Sequence, residues 1–225
     1  MNRTRIEWTD FTWNPVTGCL HDCDYCYARK LTVRFPANFP SGFAPAFHPE
    51  RLGQPCRVKR PSRVFVCSMA DLFGAWVPGE WIGAVFEAVR SCPHHTFQFL
   101  TKNPARYAVL DLPANAWYGT TVDRSSVVGR IDALRPLART TFVSFEPLTE
   151  EIDPDLRGVD AVLVGARTQP LRLPPRERVA RIVERAREAG AAVFMKDSLA
   201  PLCPRLIREL PAAAGARVSQ GALEV

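Results

Sequence analysis

Six short runs of β-branched and aromatic residues recur along the chain: Arg63–Cys67, Thr96–Leu100, Ala116–Thr120, Thr140–Ser144, Ala161–Gly165 and Ala191–Met195. Each is continuously apolar rather than alternating, the pattern of strands buried on both faces of a parallel sheet. Helical patterns separate them. Glu80–Ser91 sets Trp81, Val85 and Ala88 on one side and stops before Pro93. Ser125–Leu137 is a weaker helix with Val128, Ile131 and Leu134 inward. Pro174–Gly190 opens on two prolines, carries Val179, Ile182, Val183 and Ala186 as its stripe, spaces Glu177 and Arg181 as an i,i+4 pair and closes on glycine. Strand, helix and strand in regular succession imply right-handed crossovers. With a seventh strand near Trp13–Gly18, the count fits a partial to near-complete (βα) barrel; an open doubly wound sheet is the competing architecture. Residues 35–62 break the rhythm with Pro36, Pro40, Pro45, Pro49, Pro55 and Pro61, which preclude a long helix and mark an irregular insertion over one mouth of the sheet. A composition of 47% hydrophobic and 23% charged residues excludes disorder and low-complexity structure, and 225 residues suit a single domain, residues 1–225.

Seven cysteines are an odd number in a chain too long to need disulfide staples. Cys19, Cys23 and Cys26 crowd into eight residues with the spacing C-x3-C-x2-C, and Tyr25 directly precedes the last. Three thiolates on so short a loop suit three irons of a [4Fe–4S] cluster and leave the fourth iron open to an outside ligand. The alternative is zinc held by the three cysteines with His21, in a nucleic-acid-binding module without catalysis. Zinc sites usually draw a second pair of ligands from further along, and Cys56, Cys67, Cys92 and Cys203 offer no C-x2-C partner; they read as ordinary thiols. The N-terminus has no apolar run and no segment approaches about 18 apolar residues. Together with the thiol count, this predicts a cytoplasmic protein without a membrane partner.

The cysteine spacing resembles the signature of the radical S-adenosylmethionine (SAM) superfamily. The wider pattern is similar to a phage- and bacteria-associated radical-SAM-like family of unassigned function. The matching stretches are Trp13 to Cys19, Ser68 to Phe73, Leu100 to Pro104 and Ser144 to Leu148. A more distant likeness is to the spore photoproduct lyases. The resemblance implies a barrel of the radical SAM type, with the [4Fe–4S] cluster and SAM as cofactors. It also implies an external one-electron reductant of the flavodoxin or ferredoxin type and a substrate that is a nucleoside, nucleotide, nucleic acid or other small molecule. In place of the superfamily's Gly-Gly-Glu after the second strand, this chain has Cys67 to Asp71; in place of the family's Gly-Gly-Glu-Ser after the sixth, it has Gly165-Ala166-Arg167-Thr168. Loss of that acid and gain of Arg167 suggest a more anionic substrate.

In such a barrel function sits at the carboxyl ends of the strands. There stand Ser68 and Asp71, Thr101 and Lys102, Thr121 and Asp123, Ser144 and Glu146, and Lys196 and Asp197. The chain uses 25 Arg and only 4 Lys. Where arginine serves for almost every cation, the two lysines at strand ends stand out as chosen for lysine. Tyr25, Ser68, Lys102, Ser144 and Glu146 are the candidate SAM contacts. Lys196 faces the substrate, and Cys67 is a candidate hydrogen donor. Capping of the following helix is the alternative role for polar strand-end residues, and inert packing for Cys67. Residues 1–63 hold ten basic and five acidic side chains. Within them Arg51, Arg57, Lys59, Arg60 and Arg63 form a basic stripe, expected beside the mouth, that suits phosphate contact or simple solvation.

Overall fold

The computed structural model describes residues 1–39 and 41–211. Pro40 and residues 212–225, which the single-domain reading includes, lie outside them. Seven strands run parallel in the order of the sequence: β1 (Phe11–Trp13), β2 (Arg63–Val66), β3 (Thr96–Thr101), β4 (Ala116–Thr121), β5 (Thr140–Phe145), β6 (Ala161–Val164) and β7 (Ala192–Met195). A two-residue strand, Asn2–Arg3, adds antiparallel outside β1. A doubly wound sheet reverses its order at a switch point; here the order never reverses. All the crossovers therefore fall on one side, and the sheet curls into a partial (βα) barrel.

The side chains divide by parity. Val64, Val66, Phe97, Phe99, Tyr118, Val143, Phe145, Val162, Val164 and Val193 join the larger core under the crossover segments. Among the helices over it are α2 (Gly79–Arg90) and α3 (Arg176–Glu188). The buried stripe of α2 is Ile82, Val85, Phe86 and Val89 rather than one centred on Trp81, because Ile82 and Phe86 point at the sheet. On α3, Arg181 pairs with Glu184 instead of Glu177. The segment Ser125–Leu134 winds as 3-10 turns, not an α-helix, and still buries Ile131 and Leu134.

The opposite parity faces the concave side. Trp117, Phe142, Leu163 and Phe194 fill its floor with Trp8, whose ring lies 4.8 Å from that of Phe65 and 5.7 Å from that of Phe142. The polar N-terminal segment is thus the plug of the barrel, and Gln98 holds its backbone by donating to Trp8 O at 3.3 Å. The exposed edge of β7 is covered by residues 207–209, through Met195 N to Ile207 O (2.8 Å) and Glu209 N to Val193 O (2.9 Å). This coverage protects the edge of a sheet that does not close on itself.

Three further sequence expectations are corrected. The first strand is Phe11–Trp13, earlier than Trp13–Gly18; Val16–Thr17 pairs instead with Ala46–Phe47 of the insertion. Cys56 and Cys92 are not ordinary thiols but form a disulfide that ties the insertion to the end of α2. Only Arg51 of the basic stripe lies at the mouth, donating to Asn14 O at 3.0 Å; the rest does not flank it. Ser62 O accepts from Thr96 N at the start of β3, and Val58 O lies 2.9 Å from His94 Nε2. Residues 57–63 therefore sit at the amino ends of the strands, roughly 13 Å of strand away from their carboxyl ends.

Candidate active site

Chain geometry at the end of β1 fixes the cysteine loop. Gly18 adopts φ +84° and threads between β2 and the insertion, donating its N–H to Met69 O at 2.9 Å. A Cβ there would stand 2.1 Å from Ala44 O, so only glycine passes. Cys19 N donates to Phe43 O at 3.1 Å. Asn14 Oδ1 accepts from Met69 N (3.0 Å) and Ser68 Oγ (3.2 Å), which stitches the ends of β1 and β2 together. At the far end of the loop Cys26 caps α1 (Tyr27–Arg34), its Sγ accepting from Arg29 N at 3.4 Å. α1 buries only Ala28 and Thr32, so it has no apolar stripe for a sequence pattern to reveal.

Cys19, Cys23 and Cys26 are free thiols, and all three line one cavity of about 640 Å³ at the carboxyl ends of the strands. Burial pushes the Cys19 thiol up to about 11 and raises Cys23 as well, the latter partly offset by the charge of Lys102. Such sulfurs keep their protons until a cation replaces them, as a metal centre does. Among the described residues no three His, Cys, Asp or Glu side chains close on a single metal ion; the three thiols open onto shared space instead. That arrangement and an all-sulfur donor set fit an iron–sulfur cluster.

Around the thiols stand three polar groups. Asp71, 6% exposed, accepts from four donors: Thr101 Oγ1 (2.6 Å), His21 Nε2 (2.7 Å), Lys102 N (2.9 Å) and Phe73 N (3.0 Å). It thereby ties the cysteine loop to the ends of β2 and β3. Lys102 Nζ donates to Tyr25 Oη at 2.6 Å and Asp123 Oδ2 at 2.7 Å, and Tyr25 donates to the same Asp123 oxygen. Burial alone would raise Asp123, but hydrogen bonds from Lys102 and Tyr25 and the ammonium charge hold it below the usual carboxylate range. Burial and the Asp123 carboxylate push Tyr25 far up, so its hydroxyl stays protonated. Lys196 donates to Glu146 across the ends of β5 and β7. Gly165 leaves this pair its room: a Cβ there would lie 3.0 Å from Lys196 Cδ and 3.1 Å from Glu146 Oε1.

The cavity thus gathers Tyr25, Ser68, Lys102, Glu146, Lys196 and Cys67 with the three cysteines. Cys67 sits at φ +60°, uncommon for a non-glycine residue, and burial pushes its thiol up to about 12. Arg167 lines the rim and pairs with Asp24 of the cysteine loop at 2.7 Å. Ser144 is not brought in: it is 2% exposed and is not among the lining side chains. Sequence reasoning missed Asn14, and Tyr27, whose hydroxyl donates to Ser68 O at 2.6 Å. The strand-end rule finds Asn14 once β1 is seen to stop at Trp13.

A family model described as "Protein of unknown function (DUF5131)" matches residues 3–217. No curated protein matches the chain in sequence. Solved structures of spore photoproduct lyase share its fold. A cysteine-to-serine mutant is 14% identical with a TM-score of 0.58, over 87% of this chain and 79% of that one. A double mutant with bound AdoMet and dinucleoside spore photoproduct is 14% identical with a TM-score of 0.55, over 83% of this chain and 63% of that one.

Proposed function

The chain belongs to the DUF5131 family, and from that premise and the site geometry we propose that it is a radical SAM enzyme. The carrying observation is that three free thiols in the C-x3-C-x2-C spacing open from one loop into one cavity at the carboxyl ends of parallel strands. Cys19, Cys23 and Cys26 would hold three irons of a [4Fe–4S] cluster, leaving the fourth for the amino and carboxylate groups of SAM. When bound and reduced, that cluster supplies one electron to the sulfonium of SAM, giving methionine and a 5′-deoxyadenosyl radical that abstracts hydrogen from substrate.

The protein's work is to bind, orient and exclude water. Lys102 spends two of its three donors on Tyr25 and Asp123 and keeps one for an anion such as the SAM carboxylate. Glu146 bonds Lys196 through Oε2 and has Oε1 for the SAM amine or ribose. The Ser68 hydroxyl and the Tyr25 ring complete the cofactor side, while Lys196 and Arg167 face the substrate. Cys67, a buried protonated thiol lining the cavity, would give a hydrogen atom to a product radical and itself become a thiyl. A cavity of about 640 Å³ suits SAM and a small second molecule. The solved neighbour that binds AdoMet also binds a dinucleoside, which supports a nucleoside- or nucleotide-sized substrate. Residues 57–63 of the basic stripe, at the far end of the strands, add nothing to that reading.

Anaerobic reconstitution with iron and sulfide tests it. A brown protein with about four irons, absorption near about 400 nm and 5′-deoxyadenosine formed from SAM after reduction is expected. A Cys19→Ala, Cys23→Ala, Cys26→Ala chain should stay colourless. A colourless wild-type chain binding one zinc would overturn the proposal in favour of a metal-binding module.

A further inference from the structure

Seven large hydrophobic residues are exposed among the described residues, and six of them lie on two segments: Leu20, Tyr27, Val33 and Phe35 on the cysteine loop and α1, and Leu171 and Leu173 on the hairpin after β6. The two segments are tied together. Lys30 Nζ donates to Gln169 O at 2.9 Å, and Arg167 pairs with Asp24. Apolar residues exposed singly are ordinary, but such a concentration on two joined segments marks a contact surface.

Its charge is predominantly positive. α1 carries Arg29, Lys30 and Arg34 and no acid, and the hairpin adds Arg172. Asp22 and Asp24, the acids of the cysteine loop, are engaged by Arg29 at 3.2 Å and Arg167 at 2.7 Å. Lys30, Arg34 and Arg172 have no acidic partner among the described residues. The surface is also adjacent to the thiols themselves: Leu20 follows Cys19 and Tyr27 follows Cys26.

Resting on the radical SAM reading, we propose that this apolar and basic surface is where an acidic one-electron carrier protein of the flavodoxin or ferredoxin type docks. One electron leaves the reduced carrier and one enters the cluster, with no bond made or broken. An acidic partner is steered by the cations and held by the exposed aliphatic residues, and it stands one residue from two of the cluster ligands. Four of the six exposed residues, Leu20, Val33, Leu171 and Leu173, are aliphatic against two aromatics, Tyr27 and Phe35, a balance that favours a protein over a nucleic acid, which is met mainly by aromatic platforms.

Stopped-flow bleaching of the reconstituted full chain, with dithionite and separately with a reduced acidic flavodoxin, tests the surface. The Lys30→Glu, Arg34→Glu double variant and Leu171→Asp should each slow the flavodoxin reaction about tenfold or more at low ionic strength. Both should leave the dithionite reaction within about twofold. The wild-type flavodoxin rate should fall as salt rises, and Arg57→Glu, Arg60→Glu at the far end of the strands should change neither rate. Equal flavodoxin rates in wild type and double variant overturn the inference, as does a rate indifferent to salt. Tight binding of a single-stranded oligonucleotide that the same variants abolish also overturns it. A chain that dithionite does not bleach refutes the radical SAM reading instead; calorimetric titration of flavodoxin into wild type and double variant then decides the surface by itself.

Discussion

Replacing Asp71 by asparagine tests whether the site is built around a carboxylate that accepts and never donates. Its Oδ1 takes Thr101 Oγ1 and Phe73 N, and its Oδ2 takes His21 Nε2 and Lys102 N. An asparagine has one oxygen for these four groups. With its NH2 on the Oδ2 side it confronts the Lys102 N–H; turned over, it confronts the Phe73 N–H. Thr101 can rotate and His21 can change tautomer, but a backbone N–H can do neither. Each orientation therefore strands one buried backbone donor and one amide hydrogen facing it, at about 1–3 kcal/mol per unsatisfied group. Loss of charge assistance in the remaining bonds adds to that. About 3 kcal/mol is the central expectation, and at about 2–4 °C per kcal/mol for a chain of this size the melting temperature should fall about 6–12 °C. The assay is thermal unfolding of the iron-free chain followed by circular dichroism, which keeps the cluster out of the result. Iron uptake should fall too, because His21 stands between Cys19 and Cys23. An Asp71→Asn chain that melts within about 2 °C of wild type refutes the four-donor account.

Gly18→Ala should prevent the native loop from forming, since its Cβ would lie 2.1 Å from one backbone carbonyl oxygen at a φ of +84°; recovery of a soluble chain with wild-type melting and iron content would contradict this. Reduction of the Cys56–Cys92 disulfide, which spans 36 residues, should cost about 3–4 kcal/mol. Thiol reductant should therefore lower the melting temperature of wild type but not of Cys56→Ser. Asp123 is held below the usual carboxylate range, so its ionic bonds stabilise the fold above the unfolded carboxylate pKa and are lost as pH falls through the lower folded value. In Lys102→Met the burial remains and the ammonium is gone, so the acid loss of stability should move to higher pH, read from urea midpoints between about pH 3 and 6.

The fold was legible because its strands are buried on both faces. Runs such as Ala161–Val164 and Ala192–Met195 are apolar at every position, and their boundaries fell within a residue or two of the structure. What failed was local. β1 is three residues long and too short to carry a pattern, so it was read a few residues late and Asn14 was lost with it. α1 has almost no buried face, so its hydropathy is silent. The Cys56–Cys92 pair joins an irregular loop to a helix end, a meeting that depends on how the insertion folds back rather than on spacing.

Lys102 and Lys196, two of the few lysines in a chain whose habitual cation is arginine, both line the cavity, each against a carboxylate: Asp123 and Glu146. An ammonium is a compact charge with three rotatable donors, whereas a guanidinium is a planar fork that fills space and fixes its bonds in one plane. Lys102 reaches Tyr25 Oη and Asp123 Oδ2 within 2.7 Å of one nitrogen, with side-chain exposure of 13%, a convergence no planar fork reproduces in that volume. Lysine therefore suits this position because one compact ammonium serves two fixed acceptors and keeps a third donor for an anion. At the carboxyl end of the strands, cations without an acidic partner among the described residues lie outside the cavity, on α1 and the hairpin. At this end of the barrel the cations are therefore of two kinds: those paired with carboxylates in the cavity, where they order neighbouring groups, and those on the surface beside the thiols, where they can attract an acidic partner.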